Sequence, residues 1–450
     1  LTVLNNLSLL SGDIRLTGEA QLIQGGTSAN PTGGTGNILI DQQGQKNSFN
    51  YNYWSSPVST NNTNYSIGGV LNSGSIKISN RWLWSYNTQT LNSNTDLQDY
   101  NLWNYIGSTG TIKIGEGFTM KGTGGTAPIT SLQNYVFIGK PNSGTIALSL
   151  PLNQTYLVGN PYPSALDANE FILDNLQGRA GSNIFNGALY FWDHFGLTNN
   201  HLLAEYQGGY ATYSLTGGVP AIADSPLTAN TTNSVGKVPG RYIPVAQGFF
   251  VDAELDPSIS GTTTTVQGTS AGVNLNFKNS QRQFWRETSG NSQFMKTVDS
   301  QKSRKQETVS DNRSKIRLGF DSPTGAHRQL LLGADSNTTN AFDIGYDAPM
   351  FDMNDNDMYW ELSNSQFVIQ AIPNFNDSQI VPLGLIVAIE GGSTIKIDAL
   401  ENIPDGLYIY IHDNLTGLYH DLKNSNFTIS LPIGQYNKRF SLQFVNKTLS

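Results

Sequence analysis

Short runs in which apolar and polar residues alternate, cut every few residues by Gly, Asn, Pro or Ser, recur along this whole chain and constrain its fold most. Alternation with a period of two sends one row of side chains inward and the next outward, which is the signature of a strand. In the first half such runs include Ser75-Ile76-Lys77-Ile78, Arg81 to Tyr86, Gly117 to Lys121, Tyr135 to Ile138, Thr155 to Val158, Ala188 to Trp192 and Gln247 to Val251. In the second half they include Lys315 to Phe320, Arg328 to Gly333, Phe367 to Ala371, Val381 to Gly384, Ser393 to Ile397, Leu407 to Ile411, Asn426 to Leu431 and Arg439 to Phe444. The breaks between them carry the residues that turns between antiparallel strands require. One helix is expected over Ser164–Ile172, with Ser164 as N-cap after Pro163 and with Leu166 and Phe171 on a buried face.

The pattern predicts an all-β protein: a β-solenoid end, then two β-sandwich-like domains with one short helix. Residues 1–48 hold short rungs such as Leu7-Ser8-Leu9, Asp13 to Leu16 and Asn37 to Ile40 and are expected to be a solenoid end or strand-rich cap. A rung or two cannot bury its own apolar face, so further repeats are expected before Leu1. Residues 49–278 form the first sandwich-like domain and 313–450 the second, whose eight or so strands at short spacing carry the sandwich signature. Between them, residues 279–312 read as a basic polar linker, since Lys278 to Lys315 hold nine of the 26 Lys and Arg residues.

Composition narrows the function classes. Charged residues are 13% of the 450, well under the usual quarter, so neutral polar groups must cover the surface. A net charge of −8 argues against nucleic acid as partner. With no cysteine, disulfides, thiolate metal sites and Cys nucleophiles are excluded. No apolar run reaches membrane-spanning length.

Catalytic patterns are missing: there is no HExxH, GxSxG elbow, P-loop or GxGxxG after a strand. Asp193-His194 follows an apolar run at a strand end and reads as a loop start, and the His194–His201 spacing fits no zinc helix. Glu116, Asp193, Glu205 and Asp252 are carboxylates without a local pairing signature for glycoside hydrolysis. His412 and His420 flank a hairpin and could face each other. The chain is therefore expected not to be an enzyme and to need no cofactor, calcium excepted. Asp352, Asn354, Asp355, Asn356 and Asp357 are a run of oxygen donors suited to that hard cation, although the EF-hand pattern fails at Asp357 and Ser363; a solvated acidic loop is the competing reading. Aromatic residues cluster in the first domain. Tyr65, Tyr100 and Trp103 sit in Asn- and Thr-rich segments and are expected to be exposed, where they could stack on sugar rings. Trp82 and Trp84 share a strand face and are read as core.

Several motifs resemble substrates of the type IX secretion system, the proteins carrying a "type C" sorting domain. The carrying residues are Val381-Pro382-Leu383-Gly384, Tyr408 to Thr416, His420-Asp421-Leu422-Lys423 and Gln435 to Phe440. Upstream, Tyr53 to Val58, Gly159 to Ser164, Phe277 to Arg282 and Phe294-Met295-Lys296 match as well. The resemblance implies export across the outer membrane through the type IX translocon and its shuttle proteins, and display at the cell surface or release. The sorting signal proper would begin where Asn446 to Ser450 stand, so the chain reads as a fragment or a processed product. The expected function is that of a secreted, cell-surface structural or adhesive protein with surface polysaccharide as a possible partner. The alternative is a carbohydrate-binding accessory region of a polysaccharide-degrading enzyme. As physical objects, the motif residues are expected to hold the fold together.

Overall fold

The computed structural model describes residues 1–26, 33–60, 63–67, 78–86, 102–107, 109–124, 131–150, 154–194, 201, 208–222, 236–253, 273–289, 292 and 311–446. They group into two compact units, one of residues 1–207, 239–254 and 266–307 and the other of 208–238, 255–265 and 308–450. Strands dominate both, and the all-β class expected from the alternation holds. No helix among the described residues is long and apolar enough to cross a membrane.

The first unit begins with a single coil. Thr2–Val3 pairs in parallel with Ile23–Gln24, and Ile14–Leu16 pairs in parallel with Ile38–Gln45. Leu9, Leu16, Leu22, Ile38 and Ile40 turn into a core shared with Trp54, Phe118, Tyr135 and Phe137. The expected solenoid is not formed by the described residues. The free side of Ile38–Gln45 is taken by the antiparallel strand Leu132–Pro141, which ends any parallel stacking.

Beyond the coil, four strands close a ring of pairings. Asn52–Ser55 pairs with Gly117–Met120, and Thr155–Gly159 with Gly248–Asp252. Bridges from Glu116 to Val158 and from Trp54 to Gln247 complete the circle. Closure leaves no room for side chains where the strands meet: a Cβ on Gly159 would lie 2.5 Å from Ser55 Cβ and 2.7 Å from the Gln247 carbonyl. The helix starts later than Ser164. Ala165–Asp167 is a strand, and the helix Ala168–Asp174 is capped by Asp167, whose Oδ1 accepts from the Asn169 and Glu170 amides. Pairing of Leu166 with both Ile243 and Arg282 holds that segment extended. Tertiary pairing thus overrides the local N-cap signal of Ser164.

Residues expected to open a linker instead knot the unit together. Arg282, 4% exposed, lies 4.7 Å over the Tyr162 ring. It donates to the Leu22 carbonyl at 2.6 Å, Asn279 Oδ1 at 3.1 Å and Ser164 Oγ at 3.3 Å. Asn160 Nδ2 reaches the carbonyls of Ser164, Ile243 and Pro244. The linker therefore does not begin at Asn279; Asp299 to Ser310 lie outside the described residues.

The second unit is one continuous sheet rather than the expected sandwich of two. In spatial order its strands are Leu418–Asp421, Leu407–Asp413, Gly434–Asn446, Ile380–Val387, Asp357–Leu362, Ser365–Ile372, His327–Ala334, Lys315–Asp321, Gly391–Glu401 and Phe427–Leu431, with Ala348–Pro349 beside Ser365–Ile372. The first and last of these follow one another in the chain, and the His420 ring sits 5.4 Å from Phe427, so the sheet curls until its ends meet. Irregular register at Arg317/Leu318 and between Leu383 and Leu385 lets long strands bend as closure demands. The unit also takes in a hairpin from far upstream, Gly208–Ser214 with Gly217–Val219. Arg317 donates to the Gly218 carbonyl, and Ser214 and Thr216 hydroxyls donate to the Tyr346 carbonyl.

The motif residues are structural here. Asp413 accepts both arms of Arg439, at 3.1 and 3.0 Å, and the Leu415 amide. Asn414 Nδ2 donates to the Lys438 carbonyl, and Asn437 accepts from the Tyr359 hydroxyl.

Across the sheet, His327 lies between two carboxylates, with Nδ1 2.6 Å from Asp321 and Nε2 3.0 Å from Asp398. Burial by itself would lower its pKa, but the bonds to Asp321 and Asp398 prevail and raise it to about 9. A folded pKa above the ordinary 6.5 means the stabilisation is whole below pH 6.5 and fades as pH climbs through about 9. We expect the urea midpoint of this unit to fall over that window in the wild type and to stay level there in His327→Asn. Parallel slopes in the two proteins would refute the assignment.

Candidate functional site

The sheet built from Asn52–Ser55, Gly117–Met120, Trp84–Tyr86 and Trp103–Tyr105 has two unlike faces. Inward, Trp54, Leu83, Phe118 and Met120 belong to the core. Alternation then sends Tyr51, Tyr53, Trp84, Tyr86, Thr119 and Lys121 to the opposite side. Trp84 stands across from Tyr105 and Tyr86 across from Trp103, so the hairpin carries four rings on one face.

These rings pack against one another, and Tyr53, Tyr86 and Trp103 also lean on the buried Phe250 at 5.5, 4.9 and 6.3 Å. Trp84 and Tyr105 centroids are 5.1 Å apart at 58°, and Tyr86 and Trp103 5.0 Å apart at 74°. Trp103 also lies 6.0 Å from Tyr53, which in turn meets Trp192 at 6.3 Å. Tyr105 is 54% exposed; Trp84, Tyr86, Trp103 and Trp192 are half-buried. Trp82 belongs to the turn Asn80–Trp82, outside the strand, and it too is half-buried, so neither Trp82 nor Trp84 is the core residue expected.

One cation lies in this face. Lys121 Nζ sits 4.1 Å from the Tyr51 ring centre and 4.0 Å from that of Trp82, and His201 stacks on Trp82 at 4.8 Å. Burial pushes the Lys121 ammonium down to about 7, while the two ring faces favour its charged form. Burial, and then the neighbouring Lys121, lower His201. The half-buried and exposed rings offer apolar planes edged by polar atoms, a surface that can bind.

Of the aromatic residues expected to be exposed, Trp103 is in this face. Tyr65 is not: at 3% exposure it packs against Phe137 in the core, because its strand Asn64–Ser66 turns the middle residue inward against Thr111–Lys113. Tyr100 lies outside the described residues. The spacing of Tyr51 with Tyr53 and of Thr119 with Lys121 was visible in the sequence, but not which side of the sheet faces the core.

Two members of the oxygen-rich run at 352–357, Asp352 and Asp357, engage a cation that the protein itself supplies, Arg328. Asp357, fully buried, accepts Arg328 Nε at 2.8 Å and Nη2 at 2.6 Å, and Arg328 is 1% exposed. The Asp352 carbonyl takes Arg328 Nη2 at 3.0 Å, and its carboxylate accepts the Tyr210 amide at 2.8 Å. Asn356 Oδ1 accepts the Ala388 and Ile389 amides, Asn354 Oδ1 the Asp355 amide, and the Asp355 side chain is exposed. Among the described residues no group of three or more His, Asp or Glu side chains is placed to hold a metal ion. His412 and His420 lie on opposite faces of their hairpin, His412 opposite Tyr419 and His420 opposite Ile411. Glu116 accepts the Tyr156 hydroxyl at 2.8 Å and the Lys113 amide at 2.9 Å. Asp193 and His194 are buried, Asp252 ends its strand half-buried, and Glu205 lies outside the described residues.

No curated protein and no solved structure matches the chain. A family described as "Domain of unknown function (DUF8693)" matches residues 1–444, nearly the whole length and both units. The chain belongs to the DUF8693 family.

Proposed function

We propose that this chain is a secreted, cell-surface structural and adhesive protein that contacts carbohydrate through the aromatic sheet face of its first unit. The observation that carries the reading is that face: Trp84, Tyr86, Trp103, Tyr105 and Trp192 remain half-buried or exposed where Thr or Lys would serve a merely solvated sheet. Ring faces take up the C–H faces of sugars, and Tyr hydroxyls and Trp N–H groups supply polar edges. Scarce charge and absent cysteine suit an extracellular scaffold rigidified by hydrogen-bonded ladders. Export by the type IX route rests on the motif resemblance. The accessory region of a polysaccharide-degrading enzyme is the second reading, favoured by the same aromatic face.

On a glycan array, we expect the wild-type chain to bind a subset of polysaccharides and Trp84→Ala/Trp103→Ala to lose about tenfold or more, which corresponds to the ~1.4 kcal/mol expected from losing aromatic stacking. Equal binding by both proteins, with melting unchanged, would remove the site from the proposal. Surface proteolysis of intact producing cells tests the location: a chain digested only after lysis is not displayed.

A further inference from the structure

The second unit carries an aromatic face of different construction, on the hairpin Leu407–Asp413 and Leu418–Asp421. Burial alternates along the first strand. Leu407, Ile409 and Ile411 are buried, while Tyr408, Tyr410 and His412 point outward and stay half-exposed. Tyr408 and Tyr410 stand 6.2 Å apart with ring planes only 15° apart. His412 stacks on Tyr419 at 4.1 Å and 20°, and Tyr419 is 57% exposed.

Neighbouring strands extend these rows with neutral groups. Gln443 lies opposite Tyr410, Ser441 opposite His412 and the exposed Val445 opposite Tyr408. Gln443 Nε2 is 3.2 Å from His412 Nδ1 and 3.1 Å from Ser441 Oγ, an ordered amide–imidazole–hydroxyl group beside the rings. Farther out, Ile380 lies opposite Gln443 and Pro382 opposite Ser441. Asp421, opposite Tyr410, brings the acidic charge of these rows.

We propose that this face binds an uncharged, extended polysaccharide. Half-exposed Tyr408 and Tyr410 and exposed Tyr419 offer apolar ring area at little entropic cost, because Tyr has few rotatable bonds. The Gln443 amide and the His412 imidazole lie in the same rows, half-buried, and can exchange hydrogen bonds with sugar hydroxyls. A carboxylate at Asp421 and a net charge of −8 disfavour an anionic chain. The site lies in the other unit from the face described above and stands or falls without it.

The test is affinity electrophoresis of the full chain, in a Trp84→Ala/Trp103→Ala background so that the first unit's face cannot contribute. Gels contain hydroxyethyl cellulose, galactomannan or, as anionic comparison, alginate. We expect retardation by a neutral polymer, at least tenfold weaker in Tyr408→Ala/Tyr410→Ala and within about twofold in Tyr408→Phe/Tyr410→Phe, which keeps the rings. Hydrogen exchange across Leu407–Asp413 verifies that each variant is folded. The proposal is overturned if no neutral polymer retards the chain, if the alanine pair is retarded as strongly as its parent, or if alginate is preferred. It is equally overturned if sedimentation finds a dimer that the alanine pair abolishes.

Discussion

Replacing Arg282 with alanine is expected to destabilise the first unit by about 3–5 kcal/mol, the scale of losing several buried hydrogen bonds made by a charged group and leaving a void. The guanidinium is 4% exposed and joins the Leu22 carbonyl, Asn279 and Ser164 over the face of Tyr162. Removing it leaves the Leu22 carbonyl without this donor and opens a void beneath the ring. Arg282→Lys should recover little, because one ammonium cannot span acceptors on three segments. Urea unfolding followed by tryptophan fluorescence measures this directly, since six of the seven tryptophans lie in the first unit and only Trp360 in the second. A loss under about 1 kcal/mol, the worth of one ordinary hydrogen bond, would show that the knot is incidental.

In the second unit the largest effect is expected from Asp357→Ala. Its carboxylate is fully buried against Arg328, itself 1% exposed, so the substitution leaves the guanidinium only Asp352, whose carboxylate is 3.7 Å away, and frees the Asn354 and Met358 amides. The expected cost is about 3–5 kcal/mol. Because much of that cost is the stranded charge, Arg328→Met/Asp357→Leu should be markedly less destabilised than the single variant. Hydrogen exchange over Asp357–Leu362 and His327–Ala334 reads both. Should the single and double variants unfold alike, Asp357 acts as a backbone acceptor and not as a counter-charge. Calcium or a chelator is expected to leave both profiles unchanged, since Asp357 and the Asp352 carbonyl are already engaged by Arg328.

That run illustrates what spacing can and cannot say. Asp352, Asn354, Asp355, Asn356 and Asp357 looked like donors awaiting a cation. The cation comes from Arg328, 29 residues upstream of Asp357, and the run leads into the strand Asp357–Leu362. Nothing local marks an arginine as the partner of a distant carboxylate. Tyr65 fails as a surface residue for a related reason: its polar neighbours describe the strand's outer row, and the inner row is chosen by the sheet it joins. Asp167, by contrast, caps its helix as an Asx residue should; only the pairing of Leu166 with two strands moved the start away from Ser164. The motif residues were legible as structural, yet their meeting was not. Gly159 to Ser164 and Phe277 to Arg282 lie more than a hundred positions apart and converge on one guanidinium.

From its sequence alone, this chain is determined to be a cysteine-free, strand-built protein with most of its strands in their observed places, because strand alternation and turn chemistry act over a few residues. Only the tertiary structure decided that the terminal sheet curls on itself, that an upstream hairpin joins it, and which aromatic rows stay at the surface. Those outcomes depend on which strands pair at long range, and pairing at long range is set by the packing of whole faces, which no short window contains.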